Sequence, residues 1–294
     1  MSPAVGIPEQ VDHLRSLQNP DGGWPYARGK QSWVEPTVFA LLALRNVAGA
    51  KASEAKGFDF LARCRKQDGG WSPTLGVDTS SWVTALAVLL LSGTGNVSAG
   101  DPAVRWLLAG RGRESTLLYR IRQWMLGAKE EYENASPGWP WTPGTAGWVI
   151  PTSFSVLALC KVQARLPGPA IPARIQQGRG YLLARRCNDL GWNHGDSRLR
   201  GFHSTSFPET TGLALLALRG GSVPGIGGSI QRATAHARAC RSTQGLCWLH
   251  LGLMAQGVDP GELPAFPLGW RRTIDAAMIL LCREAIAGRN VFAP

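Results

Sequence analysis

Two glutamates occupy matched places in this chain: Glu35 lies two residues before Thr37 and Glu209 two residues before Thr211, and each threonine opens an apolar run. Aromatic residues share that level, with Trp33, Trp148 and Phe207 each leading into such a run and Trp82 close by. If these side chains line one mouth, protonatable groups and cation-attracting ring faces converge there. The carboxylates also have a plainer reading. Ser32-x-x-Glu35 and Ser206-x-x-Glu209 fit the capping box, which favours the anion at a helix N-terminus, although Pro36 sits poorly in the first. Asp78, in Gly76-Val77-Asp78, is a third carboxylate and reads as a turn or cap residue. His236-x-x-x-Cys240 and Cys247-x-x-His250 each put a pair of ligands on one helix face, so a tetrahedral Cys/His zinc site is one reading. Packing is the other, because Cys64 and Cys187 share the register of Cys240 at the end of a helix. His194 and His203 lie in loops and carry no assigned role.

The elements that must position these residues repeat. The segment from Gln18 to Trp24 reads Gln-Asn-Pro-Asp-Gly-Gly-Trp, and Gln67 to Trp71 repeats its tail forty-seven residues later. Thirteen residues after each tryptophan comes a threonine, Thr37 or Thr84, that opens an Ala/Leu-rich run. Gly138-Trp139 leads to Thr152 by the same interval, whereas Gly191-Trp192 reaches Thr211 after nineteen, which implies an insertion within residues 196–206. A faint fifth copy begins at Gln244-Gly-Leu-Cys-Trp248, and the third carries extra sequence between Gly110 and Pro137. A period near fifty marks an array of stacked units. Each unit reads as an amphipathic helix, a Gly-rich turn and a helix apolar on all sides, too short to cross a bilayer. The expected architecture is all-α, an α/α toroid of about five helix hairpins in one domain over 1–294, with repeats at roughly 8–49, 53–95, 100–165, 171–220 and 229–290.

Gln-x-x-Asp-Gly-Gly-Trp followed by a Thr-initiated Ala/Leu helix resembles the terpenoid cyclase and protein prenyltransferase superfamily. The resemblance covers roughly residues 8–218 and implies an enclosed apolar cavity suited to isoprenoid chains. It also implies, for class II cyclases, protonation of an alkene or epoxide by the middle aspartic acid of Asp-x-Asp-Asp-Thr. Registering that motif on the threonine aligns Trp33-Val34-Glu35-Pro36-Thr37 with it and puts Glu35 at the acid position. Phe207-Pro208-Glu209-Thr210-Thr211 does the same for Glu209. In the second repeat the position falls on Trp82, and Asp78, which keeps the motif's middle aspartate in Gly76-Val77-Asp78-Thr79 but lies four residues too early, is the alternative acid. The implied reaction is acid-initiated cyclisation of a polyprenyl or triterpenoid-type lipid, with no cofactor. The resemblance leaves room for two alternatives, a barrel that binds lipid without chemistry and a zinc-dependent prenyltransferase-type subunit. Class II cyclases usually work between two barrels, so a second barrel or another copy is an implied partner.

A net charge of +11 has no nucleic-acid motif beside it, so no nucleic-acid partner is expected. Arg63, Arg65, Arg185, Arg186, Arg238 and Arg241 fall at the ends of the amphipathic helices, as a solvated rim or as a contact with an anionic membrane face. Six scattered cysteines and a start without signal-peptide character fit a reducing, cytoplasmic setting.

Overall fold

The computed structural model describes residues 7–45, 47–95, 101–125, 136–163, 169–195, 198–199, 202–221, 223–263 and 272–293. Among them lie twelve α-helices: α1 (Ile7–Ser16), α2 (Val34–Leu44), α3 (Lys51–Cys64), α4 (Val83–Thr94), α5 (Pro102–Ala109), α6 (Leu117–Met125), α7 (Val149–Gln163), α8 (Ala170–Ala184), α9 (Pro208–Ala217), α10 (Ile226–Ala239), α11 (Thr243–Ala255) and α12 (Thr273–Ile286). The apolar helices pack in a closed cycle, α2 on α4, then α7, α9, α11, α12 and back to α2. Outside them α3 packs on α2, α5 on α4, α8 on α7 and α10 on α9, while α1 covers α12. The result is two concentric layers. The inner one is buried almost end to end because it has no polar face: every residue of α2 is buried except Glu35, which is half-buried.

The thirteen-residue interval has a direct cause. The buried backbone N–H of each turn tryptophan donates to the hydroxyl of the threonine that opens the next inner helix: Trp24 to Thr37 at 2.8 Å, Trp71 to Thr84 at 2.9 Å, Trp139 to Thr152 at 2.9 Å and Trp192 to Thr211 at 3.0 Å. Each indole N–H reaches back to a carbonyl of the outer layer, on Leu14, Leu61, Leu107 and Leu182. One residue thus ties two helices by two bonds that water cannot replace. The Gly-Gly pair is needed because Gly22 and Gly69 have positive φ, and a Cβ there would strike the backbone of Lys56 or Pro102 in the next outer helix. Gln18 bridges the same gap by donating to the carbonyls of Gly22 and Ser53, both at 2.8 Å. Short antiparallel pairs, Trp24–Pro25 with Ser32–Trp33 and Trp139–Pro140 with Gly147–Trp148, then carry the chain into α2 and α7.

Gln244 to Trp248 departs from the expected turn. This stretch lies inside α11, capped by the Ser242 hydroxyl, which accepts from the Gly245 N–H at 3.2 Å. It lacks the Asp-Gly-Gly step that would supply positive φ, so nothing stops the helix. The inner layer consequently has six helices, α11 and α12 following one another after α10. The ring closes where the first turn meets the last helix. Thr273 donates its N–H to the Tyr26 carbonyl at 3.1 Å and its hydroxyl to the Pro25 carbonyl.

Several rim arginines act as clasps. Arg63 bonds the Asp21 carbonyl, Arg65 pairs with Asp101 at 2.9 Å and stacks over Trp71, Arg185 bonds the Gly195 carbonyl, and Arg186 the Pro224 carbonyl. No helix among the described residues is long and apolar enough to cross a membrane.

Candidate active site

Five inner helices offer their second residue to one cavity: Glu35 from α2, Ile150 from α7, Glu209 from α9, Gln244 from α11 and Ile274 from α12. The cavity has a volume of about 360 Å³ and lies at the N-terminal ends of the inner ring. Phe39, Phe154, Leu213 and Trp248 lie deeper in its wall, and His194, Phe207 and Thr210 complete the lining. Phe39, Phe154 and Trp248 meet edge to face, with centroid separations of 5.6 to 6.1 Å. All three are buried.

Neither glutamate makes the capping box. Trp33 and Phe207 occupy the cap positions without side-chain cap bonds. Ser32 donates to Asp21 at 2.7 Å instead, and Ser206 to Asp189 at 2.9 Å, so the two serines fasten the Asp-containing turns. Freed from the backbone, Glu35 accepts a short hydrogen bond from the Tyr26 hydroxyl on Oε2. Burial pushes its pKa up to about 7, against the smaller lowering effect of the Tyr26 bond. A helix N-terminus favours the anion by only about 0.3–1 kcal/mol, less than one pKa unit, so burial wins. Burial and the neighbouring carboxylate push the Tyr26 phenol up as well, which keeps it a donor. Glu209 accepts from the Ser242 hydroxyl at 2.8 Å.

The other expected residues divide. Phe207 lines the cavity, its ring 5.3 Å from that of His194. Trp33 stacks behind Tyr26 at 5.8 Å, and Trp82 lies 5.8 Å behind Phe154 while meeting Trp141 edge-on at 4.9 Å. Both buttress the wall and do not line it. Trp148 is partly exposed on the rim. Asp78 points into solvent and pairs with Lys66 at 3.3 Å, apart from the cavity, because it lies in the turn before the inner helix begins. His236, Cys240, Cys247 and His250 are not gathered: His236 bonds Ser206 at 2.8 Å, Cys240 the Ser242 carbonyl, and His250 the Leu246 carbonyl at 2.9 Å, while Cys247 lies against Cys282. No group of three or more His, Cys, Asp or Glu among the described residues could hold a metal ion. The side chain of His203 lies outside the described residues.

Reading the sequence missed Tyr26, Phe39, Phe154 and Trp248 as site residues. Tyr26 follows Trp24-Pro25 directly, and its place against Glu35 depends on the hairpin that folds the two together. Phe39 and Phe154 are the only aromatic residues inside the Ala/Leu runs of α2 and α7, which was a usable signal.

No family model matches the chain. It is 28% identical over 244 residues to a drimenyl diphosphate synthase of Streptomyces showdoensis, a match covering 80% of this chain and 40% of that protein. A drimenyl diphosphate synthase of Streptantibioticus cattleyicolor is 37% identical over 59 residues, which cover 20% of this chain and 11% of that one. The chain therefore spans well under half the length of the curated relatives it matches. Among solved structures it superposes on the type II terpene cyclase MstE from Scytonema with a TM-score of 0.51 and 19% identity, over 96% of this chain and 77% of that one. A variant of that enzyme in complex with geranylgeranyl dihydroxybenzoate gives 0.52 at 18% identity, with the same coverage. In its fold the chain is similar to type II terpene cyclases.

Proposed function

We propose that this chain is a class II terpene-cyclase-like catalyst that cyclises a prenyl chain by protonating its terminal alkene from Glu35. The observation that carries the reading is Glu35 itself: a carboxyl group held near pKa 7, bonded by Tyr26, on the wall of a cavity whose deeper lining is Phe39, Phe154 and Trp248. With Oε2 engaged by Tyr26, the proton is carried by the other oxygen. Its transfer forms a C–H bond at the less substituted alkene carbon and leaves a tertiary cation. The π electrons of the next double bond close the ring, and loss of a proton from a neighbouring carbon to a base restores neutrality. Aromatic faces attract the migrating cation by roughly 0.5–2 kcal/mol each in a desolvated site. Glu209, across the same cavity, is suited to accept the departing proton. A volume of about 360 Å³ lies at the lower end of the small-ligand range, roughly 300–1,000 Å³, which favours a single prenyl chain over a triterpenoid. The partial exposure of Tyr26, Trp148 and Phe207 supports a second barrel or another copy over the mouth.

Incubation with farnesyl diphosphate, geranylgeranyl diphosphate and squalene, read by mass spectrometry, tests the reading. Cyclic products isomeric with a substrate support it; binding without turnover favours a lipid-binding barrel. Protonated Glu35 is the active form, so turnover should fall as pH rises through about 7. Because the Tyr26 bond lowers the Glu35 pKa, Tyr26→Phe should move that falling limb to higher pH, and a profile that does not move argues against Glu35 as the acid.

A further inference from the structure

The cavity has a floor supplied from far away in the chain. After α12 the residues 287–289 run in solvent, and the backbone then turns back so that Phe292 is buried at 1% exposure. Three features hold the turn. Gly288 has φ +85, Arg289 pairs with both oxygens of Glu284 at 2.6 and 2.9 Å, and the Asn290 Oδ1 accepts the Phe292 N–H at 2.9 Å. The Phe292 ring packs 5.3 Å from that of Trp248, whose indole also lines the cavity. Behind this layer, at the C-terminal ends of the inner helices, lie two further hollows of about 600 and 420 Å³, both walled by Arg45, Arg289 and Val291. Phe292 thus packs against a wall residue of the site, from a segment whose neighbours Val291 and Ala293 border the larger of these open hollows.

We infer that Phe292 fixes the depth of the cavity and thereby the length of prenyl chain it accepts, an inference that rests on the prenyl-binding reading above. The indole of Trp248 can hold its position only while something fills the space behind it. With the Phe292 ring removed, Trp248 can retreat into the space it leaves and the cavity deepens, making room for a further isoprene unit. One methylene in an apolar pocket is worth roughly 10–200-fold in discrimination, so a change of this size is readily measured.

The test is the binding of farnesol and geranylgeraniol to wild type, Phe292→Ala, Phe292→Leu and Phe292→Trp, by isothermal titration. Phe292→Ala should raise the affinity ratio of geranylgeraniol to farnesol at least about tenfold. Phe292→Leu should raise it less, and Phe292→Trp should lower it. Ratios within twofold of wild type in the folded variants would overturn the inference, and should the alanine variant fail to fold, the leucine and tryptophan variants decide. The readout is independent of turnover: a shifted ratio without any cyclic product leaves the floor in place and removes the cyclase reading alone.

Discussion

Glu35→Gln should abolish cyclisation, lowering kcat by about 10³-fold, within the roughly 10²–10⁴-fold that a general acid contributes. Glutamine keeps the shape, stays neutral and can still accept the Tyr26 hydrogen bond, so what disappears is the transferable proton. The fold should survive. Glu35 has its pKa raised from 4.5 to about 7, so between those values the folded protein binds more protons than the unfolded chain, and the stability this residue contributes falls as pH rises through the window. Removing the titratable group should therefore leave thermal stability unchanged in acid and improve it above pH 7. Glu209→Gln should slow turnover to a smaller extent, and Asp78→Asn, which changes an exposed residue apart from the cavity, should do nothing. A Glu35→Gln protein that is destabilised yet fully active would return that residue to a structural role.

Trp24→Ala should be the most damaging single change to the fold. Its side chain is wholly buried, its indole N–H donates to Leu14 at 2.8 Å, and its ring fills the space that Gly57 leaves open. Deleting a buried tryptophan costs about 3–5 kcal/mol, and the stranded Leu14 carbonyl adds to that. Against a typical total of roughly 5–15 kcal/mol this removes a large fraction, seen as a fall in Tm of roughly 10 °C. Trp148→Ala, on the rim, should cost less than about 1 kcal/mol. Thermal melts of the two variants side by side check the contrast, and equal losses would mean that the turn tryptophans are not the ties described.

How much of this was legible follows from the range of the interactions. The interval from tryptophan to threonine is short and repeated, and it records a bond made in each of four units, so the helix hairpins could be read directly. The level shared by Glu35 and Glu209 was legible for the same reason, since both count back from such a threonine. The choice between acid and cap was not, because it turns on whether Ser32 and Ser206 bond the helix or the Asp21 and Asp189 carboxylates. Trp248 was read as a turn residue on the strength of the preceding Gln and Gly, but with no Asp-Gly-Gly step the helix runs through it and the indole meets the cavity. Phe292 gave no local signal at all. Its significance comes from a contact with a residue forty-four positions away, which no periodic pattern encodes.

Turnover in D2O tests the central claim most directly, because the carboxyl proton of Glu35 exchanges with solvent whereas the hydrogens of a prenyl substrate do not. Proton-initiated cyclisation requires each cyclic product molecule to carry one deuterium at the carbon first protonated, and Glu35→Gln to yield none. Cyclic product free of deuterium, or label incorporated equally by Glu35→Gln, would contradict the account.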